Sequence, residues 1–438
     1  MTDFAPSPAA AIEQRIRANR LLPIGAPWAD EIVFPHFGGL SILNLTHTIA
    51  ELLGAPLPGS RPLDPAVWGG QFPEGIQRVV LILSDGLGYR WLQQLMAQDD
   101  AVRAHVEALS DGRGPVPLTS VVPSTTATAL STFWTGVSAA AHGMTGFSVY
   151  LRDLDMLTTP LFFKPLTGKL QRDSLVRDFG IDPMRFLPVR GFAERLAERG
   201  VPTYVLQRLE YAGSALSAVL HRGIPDDRIR LHTGHFDKWL RLRDLLAATR
   251  GQRCYIHAYL PAVDAVSHGY GAQSPEAAYT IRRQLAELAA VLTAGEVQDG
   301  RTLFLVTADH GHYDAPANIN LFAEPSPTPL ADFLRGRPSG EARFSYVFVR
   351  DGKRQQVTDL LLRHFRDRIA WVDSEAALEA GLFGPEPPYR EVRHRIGDLI
   401  LMPRQGIRLE QGIPPMLVGV HGGLSDWEML VPLLWSRS

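Results

Sequence analysis

Residues 79–88 read Val79-Val80-Leu81-Ile82-Leu83-Ser84-Asp85-Gly86-Leu87-Gly88. An unbroken apolar run of strand length ends in an aspartate, and two glycines follow. Ligands of an open α/β sheet sit beyond the carboxyl ends of its strands, so Asp85 points to such a crevice. The glycines let the backbone turn tightly beside it. A helix-capping aspartate gives the same local pattern, so the rest of the chain has to decide.

Outward from this run, short β-branched stretches alternate with helical ones. Strands are expected at Arg78–Leu83, Leu118–Val122, Thr203–Leu206, Cys254–Leu260 and Thr302–Thr307. Helices are expected at Thr126–Thr135, Gly191–Arg199, Asp237–Ala248 and Pro275–Thr293. This alternation specifies an α/β fold with a mostly parallel central sheet. Residues 1–75 are rich in Pro and Gly, with one helical stretch near Asn44–Leu53, and read as an N-terminal extension packed on a core of 76–330 and 405–438. Residues 331–404 hold strands at Arg343–Arg350 and Asp398–Met402 and a helix at Val357–Phe365, and read as an inserted α+β subdomain. A further insertion at about 147–190 carries aromatics and prolines suited to capping a pocket.

The 438 residues carry 44 basic and 46 acidic side chains, a net charge of −2. Such a balance advertises neither a nucleic-acid nor an anionic-membrane partner. No apolar stretch has the length of a membrane span. The N-terminus shows no signal-peptide pattern, so the expected compartment is the cytoplasm. Oligomeric state is not legible, and a homo-oligomer stays open. One cysteine, Cys254, stands beside 14 histidines. It excludes an internal disulfide, Cys-rich zinc modules and a CxxC pair. Metal chemistry would have to use histidine and carboxylate.

Four further segments carry such residues. Pro123-Ser124-Thr125-Thr126 stands between a strand and a helix that ends at Gly136. Its hydroxyls therefore occupy a helix start, where free N–H groups and the dipole suit phosphate; plain capping by Ser or Thr is the simpler explanation. Asp264 and His268 are four apart, so one helical turn puts both on one face. Thr302–Thr307 leads into Asp309-His310-Gly311-His312, where adjacent ligands converge only if the chain turns at Gly311. His421-Gly422-Gly423 supplies one more histidine near the C-terminus. Three carboxylates and three histidines at the ends of apolar runs suit zinc, with manganese second. Two ions about 4 Å apart can hold an attacking and a leaving oxygen in phosphoryl transfer.

The order of these segments resembles the alkaline phosphatase superfamily, most closely its type I phosphodiesterase/nucleotide pyrophosphatase family. The resemblance rests on LSDGLG at Asp85, PSTTATALSTFWTG at Thr126, HGMTG at His142, PAVDAVSHGYG at Asp264 and His268, TADHG at Asp309 and His310, and HGGLS at His421. It implies an alkaline-phosphatase-like three-layer sandwich. It also implies two metal sites, one of Asp264, His268 and His421, the other of Asp85, Asp309, His310 and Thr126. Thr126 would be the nucleophile, with Thr125 as alternative, and a phospho-threonine ester would form and then be hydrolysed. The implied substrate is a small molecule with a phosphodiester or pyrophosphate bond. A phosphomonoesterase, a phosphonate hydrolase or a non-catalytic metal-binding scaffold are the alternatives.

The sequence departs from the family where Phe-Pro-Asn often follows the threonine; here Ala127-Thr128-Ala129 stands. Thr128 or backbone N–H groups would then meet the phosphoryl oxygens. Phe147, Tyr150, Phe162, Phe163 and Lys164 are candidates for the substrate side. Cys254 sits in a strand-like run rather than a C/S-x-P-x-R motif, which excludes the sulfatase branch.

Overall fold

The computed structural model of the chain describes residues 8–234, 236–410 and 417–438. Residues 1–7 of the N-terminal extension and 411–416 of the C-terminal core segment lie outside them.

A seven-stranded sheet forms the middle layer. Its strands are β1 (Arg78–Ser84), β2 (Val116–Thr119), β3 (Thr203–Arg208), β4 (Ile229–His232), β5 (Cys254–Leu260), β6 (Thr302–Thr307) and β7 (Leu430–Arg437), in the spatial order β2-β7-β6-β1-β5-β3-β4. β1 lies at the centre, paired in parallel with β5 and β6. All seven of its residues are buried, as expected of a strand covered on both faces. Only β7 runs antiparallel to its neighbours, β2 and β6.

Helix α1 (Thr126–Thr135), buried along its whole length, packs on one face together with the helices at Ile42–Leu52, Phe192–Glu198 and Ala215–Leu220. Tyr89–Gln98, Asp100–Leu109, Asp237–Ala248 and Pro275–Leu292 form the opposite layer. Helix–sheet–helix is the three-layer α/β sandwich that the alternating pattern specifies.

One expected strand shifts, and one strand was not expected. The strand expected at Leu118–Val122 runs instead at Val116–Thr119, because pairing with β7 spans only Val116 to Thr119. Val121 and Val122 are buried as loop residues leading to α1. β7 itself is not legible in the sequence, because Pro432 interrupts it. Pro432 faces Pro117 and precedes the stretch from Leu434 to Arg437 that pairs with β6, so its missing N–H breaks no ladder there.

Between β6 and β7, strands Ser339–Glu341, Phe344–Val347, Ile369–Asp373 and Leu399–Pro403 form a four-stranded antiparallel sheet. Val347, Val357, Leu361, Phe365 and Leu401 belong to a second hydrophobic cluster beside the main core. Among the described residues, no helix is long and apolar enough to cross a membrane.

Candidate active site

The site is built at the carboxyl ends of three adjacent strands. β6, β1 and β5 lie side by side, and the chain leaving each delivers an aspartate: Asp309, Asp85 and Asp264. Parallel neighbours spaced about 4.8 Å apart bring such residues together automatically. Asp85 caps no helix; Gly88 holds that position for Tyr89–Gln98. Asp264 and His268 both lie on helix α2 (Ala262–Tyr270). His421 follows a short strand, Gly419–Val420, which pairs with Tyr313–Asp314 just beyond the Asp309–His312 segment.

Two groups of side chains present ligand atoms within 4.8 Å of one another: Asp264, His268, His312 and His421 in one, and Asp85, Asp309 and His310 in the other. His310 belongs to both neighbourhoods, stacking on His421 with ring centroids 3.9 Å apart. His312 is the member that spacing alone did not assign. Its signal was the histidine two places after His310, and its Nε2 lies 2.6 Å from Asp264 Oδ1.

Gly311 matters for a reason other than the expected turn. A Cβ there would lie 1.9 Å from the Trp427 carbonyl oxygen and 2.9 Å from Gly88 Cα. The glycine lets three chain segments touch. Gly86 does adopt a left-handed conformation (φ 78°), and its missing Cβ leaves room for His312.

Hydrogen bonds set the imidazole tautomers. His268 Nδ1 lies 2.8 Å from the Gly419 carbonyl and His310 Nδ1 lies 3.1 Å from the Gly311 carbonyl. A carbonyl only accepts, so both Nδ1 atoms carry a proton, and Nε2 is the atom that each ring can offer a cation. His310 Nε2 then sits 3.4 Å from both Asp85 Oδ1 and Asp309 Oδ2. Asp85 Oδ1, Asp309 Oδ2 and His421 Nδ1 are buried with no hydrogen-bond partner among the described residues. Burial, reinforced by Asp264 and Asp309, pushes the Asp85 carboxyl well above the usual carboxylate range. Burial and the neighbouring His310 and His312 push His421 well below the usual imidazole value. Clustered imidazoles and carboxylates with unpartnered buried atoms fit divalent cations with nitrogen and oxygen ligands.

Thr126 is the first residue of α1, and its Oγ1 lies 3.1 Å from His310 Nε2. The hydroxyls at this helix start do not act as caps. Thr125, the N-cap residue, makes no side-chain capping bond, and Ser124 Oγ donates to the Gly423 carbonyl at 2.7 Å. The Tyr259 hydroxyl, on β5, donates to Asp85 Oδ2; sequence reading gave it no role.

The remaining candidates are not gathered at this centre. Thr128 lies two residues along α1, about 200° round the helix, fully buried with an unpartnered Oγ1. The Phe147 ring meets Phe162 edge-on at 6.2 Å, and the Lys164 ammonium lies 5.7 Å from the same ring. Phe162 lines the cavity beside Thr126. Phe163 is a core residue. Tyr150 lines a separate surface depression. His142 is structural: its Nδ1 accepts from the Met144 N–H, and its Nε2 faces Thr132 Oγ1. Burial lowers its pKa to about 3.

The family model of type I phosphodiesterase / nucleotide pyrophosphatase matches residues 79–424. Murine ectonucleotide pyrophosphatase / phosphodiesterase 5 has a similar structure, with 16% identity, 82% of this chain and 87% of that chain covered, and a TM-score of 0.58. An inactive form of that murine protein, in complex with AMP, is 15% identical over the same shares, also with a TM-score of 0.58. Phosphonoacetate hydrolase from Sinorhizobium meliloti 1021, in complex with phosphonoacetate, is 20% identical over 84% of this chain and 92% of that one, with a TM-score of 0.52. At these identities the likeness is one of fold. No curated protein matches the sequence. With the family model spanning every segment of the centre from β1 to the loop after His421, the chain belongs to the type I phosphodiesterase/nucleotide pyrophosphatase family of metal-dependent phosphate-ester hydrolases.

Proposed function

We propose that this chain hydrolyses a phosphodiester or pyrophosphate bond of a small molecule by way of a phospho-threonine ester on Thr126. The observation that carries the reading is the Thr126 hydroxyl, uncommitted to capping, at the start of a buried helix and 3.1 Å from His310 Nε2. Two divalent ions, zinc by the nitrogen–oxygen donor set, would be held by Asp264, His268, His312 and His421 and by Asp85, Asp309, His310 and Thr126. When bound, such ions lower the pKa of a hydroxyl or water and neutralise charge on a phosphoryl group.

The chain's own groups do the rest. His310 Nε2 lies 3.1 Å from Thr126 Oγ1, which places the hydroxyl among the residues that would hold the ion. The N-terminal end of α1 points its dipole at the same spot and favours the phosphoryl oxygens. Thr126 Oγ gives up its proton and attacks phosphorus, the P–O bond to the leaving group breaks, and the leaving oxygen takes up a proton. Water then attacks the phospho-threonine, releasing Thr126 and the phosphate product. Two inversions leave net retention at phosphorus. The test is hydrolysis of bis(p-nitrophenyl) phosphate by the zinc-loaded chain, with mass spectrometry of acid-quenched enzyme for a phosphoryl adduct on Thr126. Absence of turnover on diesters, monoesters and phosphonates alike would end the hydrolase reading. Faster turnover of phosphonates or monoesters than diesters would move the substrate class without moving the site.

A further inference from the structure

A cavity of about 480 Å³ opens beside Thr126, and the phosphoryl chemistry leaves it without a role. Thr126, Leu130 and Trp134 all line it. Spaced four apart, they lie along one face of α1. The cavity therefore starts at the candidate nucleophile and follows the helix for about 12 Å. At its far end His257 of β5 stacks on Trp134, with centroids 4.6 Å apart and planes 28° apart. His257 is 1% exposed. Its Nδ1 lies 3.0 Å from the Tyr255 hydroxyl. That hydroxyl meets no other partner among the described residues, so it donates, and the ring proton sits on Nε2. His257 Nε2 is buried and has no hydrogen-bond partner among the described residues. A donor left in that state costs stability, and a bound acceptor removes the cost. Asp85 and Asp264 line the end at Thr126; the other two charged lining residues belong to the outer part, where Glu210 is exposed and paired with Arg208 and half-buried Arg172 stacks on Phe162.

We propose that this cavity binds the organic substituent of the phosphate ester. The substituent is an uncharged aromatic group with a hydrogen-bond acceptor at the end remote from phosphorus, received by the His257 Nε2–H. The inference rests on the hydrolase reading, since it puts phosphorus at Thr126. Stacked rings and leucine walls favour a flat apolar group, whereas a charge carried to the inner end would be desolvated there without a counter-charge.

The test is calorimetric binding of three phosphonates to the zinc-loaded full chain: methylphosphonate, 2-naphthylmethylphosphonate, and coumarin-7-ylmethylphosphonate, whose lactone carbonyl lies far from phosphorus. The naphthyl compound should bind at least tenfold more tightly than the methyl compound, and the coumarinyl compound more tightly again. Leu216→Trp, which fills the cavity from the helix at Ala215–Leu220, should collapse the aryl-over-methyl ratio toward one. His257→Phe keeps the stacked ring and should abolish only the coumarinyl-over-naphthyl ratio. Equal binding of the three by the unaltered chain overturns the proposal, as does a coumarinyl preference that survives His257→Phe. Binding is read without turnover, so the two readings fail separately. Tight aryl binding with no hydrolysis sinks the hydrolase reading alone. Hydrolysis with no aryl preference sinks the cavity assignment alone.

Discussion

His312 Nε2 lies 2.6 Å from Asp264 Oδ1, closer than the other two histidines facing that oxygen, His268 at 3.3 Å and His421 at 3.8 Å. Burial lowers the His312 pKa to about 4, against the opposing pull of Asp264. The imidazole is therefore neutral at physiological pH. It either orients the Asp264 carboxylate or joins it on the same ion, and both roles tie His312 to metal retention.

His312→Ala should therefore weaken zinc retention by about 10–100-fold. Competition with a chromophoric chelator measures this on the full chain, independently of turnover. Unchanged retention would reduce His312 to a space-filling residue.

Thr126→Ala should lower diester hydrolysis by about 10³-fold or more. Thr126→Ser should keep measurable turnover, because the hydroxyl is preserved. If the alanine variant keeps wild-type rates, the nucleophile lies elsewhere, with Thr125 next in line.

Glu341 is buried, and its Oε1 accepts the Phe147 N–H at 2.6 Å. Burial raises its pKa to about 8 from the ordinary value of 4.5, against the opposing effect of Thr125 and Phe147. Between those two values the folded chain holds a proton that the unfolded chain has released. Stability from this group is therefore full below pH 4.5 and falls as pH rises toward 8, by up to about 1.4 kcal/mol per pH unit. Glu341→Gln should flatten that part of a urea-denaturation series run from pH 5 to 8. An unchanged pH slope in the variant would place the titrating group elsewhere.

Glu428 anchors the loop that carries His421. Its carboxylate takes both Arg343 Nε (2.9 Å) and Nη2 (2.7 Å), the Gly423 N–H (2.9 Å) and the Ser425 hydroxyl (2.6 Å). Burial disfavours the charge, but Arg343 together with the Ser425 and Gly423 hydrogen bonds holds the carboxyl below its ordinary value. This contribution is present above that ordinary value and is lost as pH falls through the folded pKa. Glu428→Gln leaves Arg343 buried without its charge partner and should destabilise by about 3–5 kcal/mol in chemical denaturation. A loss under about 1 kcal/mol would mean the pair is solvated in solution.

Local chemistry made much of this legible. Cys254–Leu260, Thr302–Thr307 and Thr126–Thr135 form where apolar runs meet proline, glycine or aspartate, and their bounds agree with the sequence reading. The three aspartates were legible for the same reason, each following an apolar strand that parallel pairing sets beside the next. β7 was not legible, because tolerance of Pro432 depends on where its neighbours stop pairing. The substrate-side candidates were not either. Phe147 and Lys164 were named by residue type, and packing directs both toward Phe162.

The sequence by itself determined the class of fold and pointed to Asp85, Asp264, Asp309, His268, His310 and His421 as one set, since periodicity and strand-end residues are local properties. Only the tertiary structure decided that His312 joins Asp264, that Gly311 is demanded by the Trp427 carbonyl, and that His257 closes a cavity beginning at Thr126. Each of these is a contact between segments far apart in the chain. No spacing within one segment encodes such a distance; it is set by how strands, helices and loops pack around the sheet.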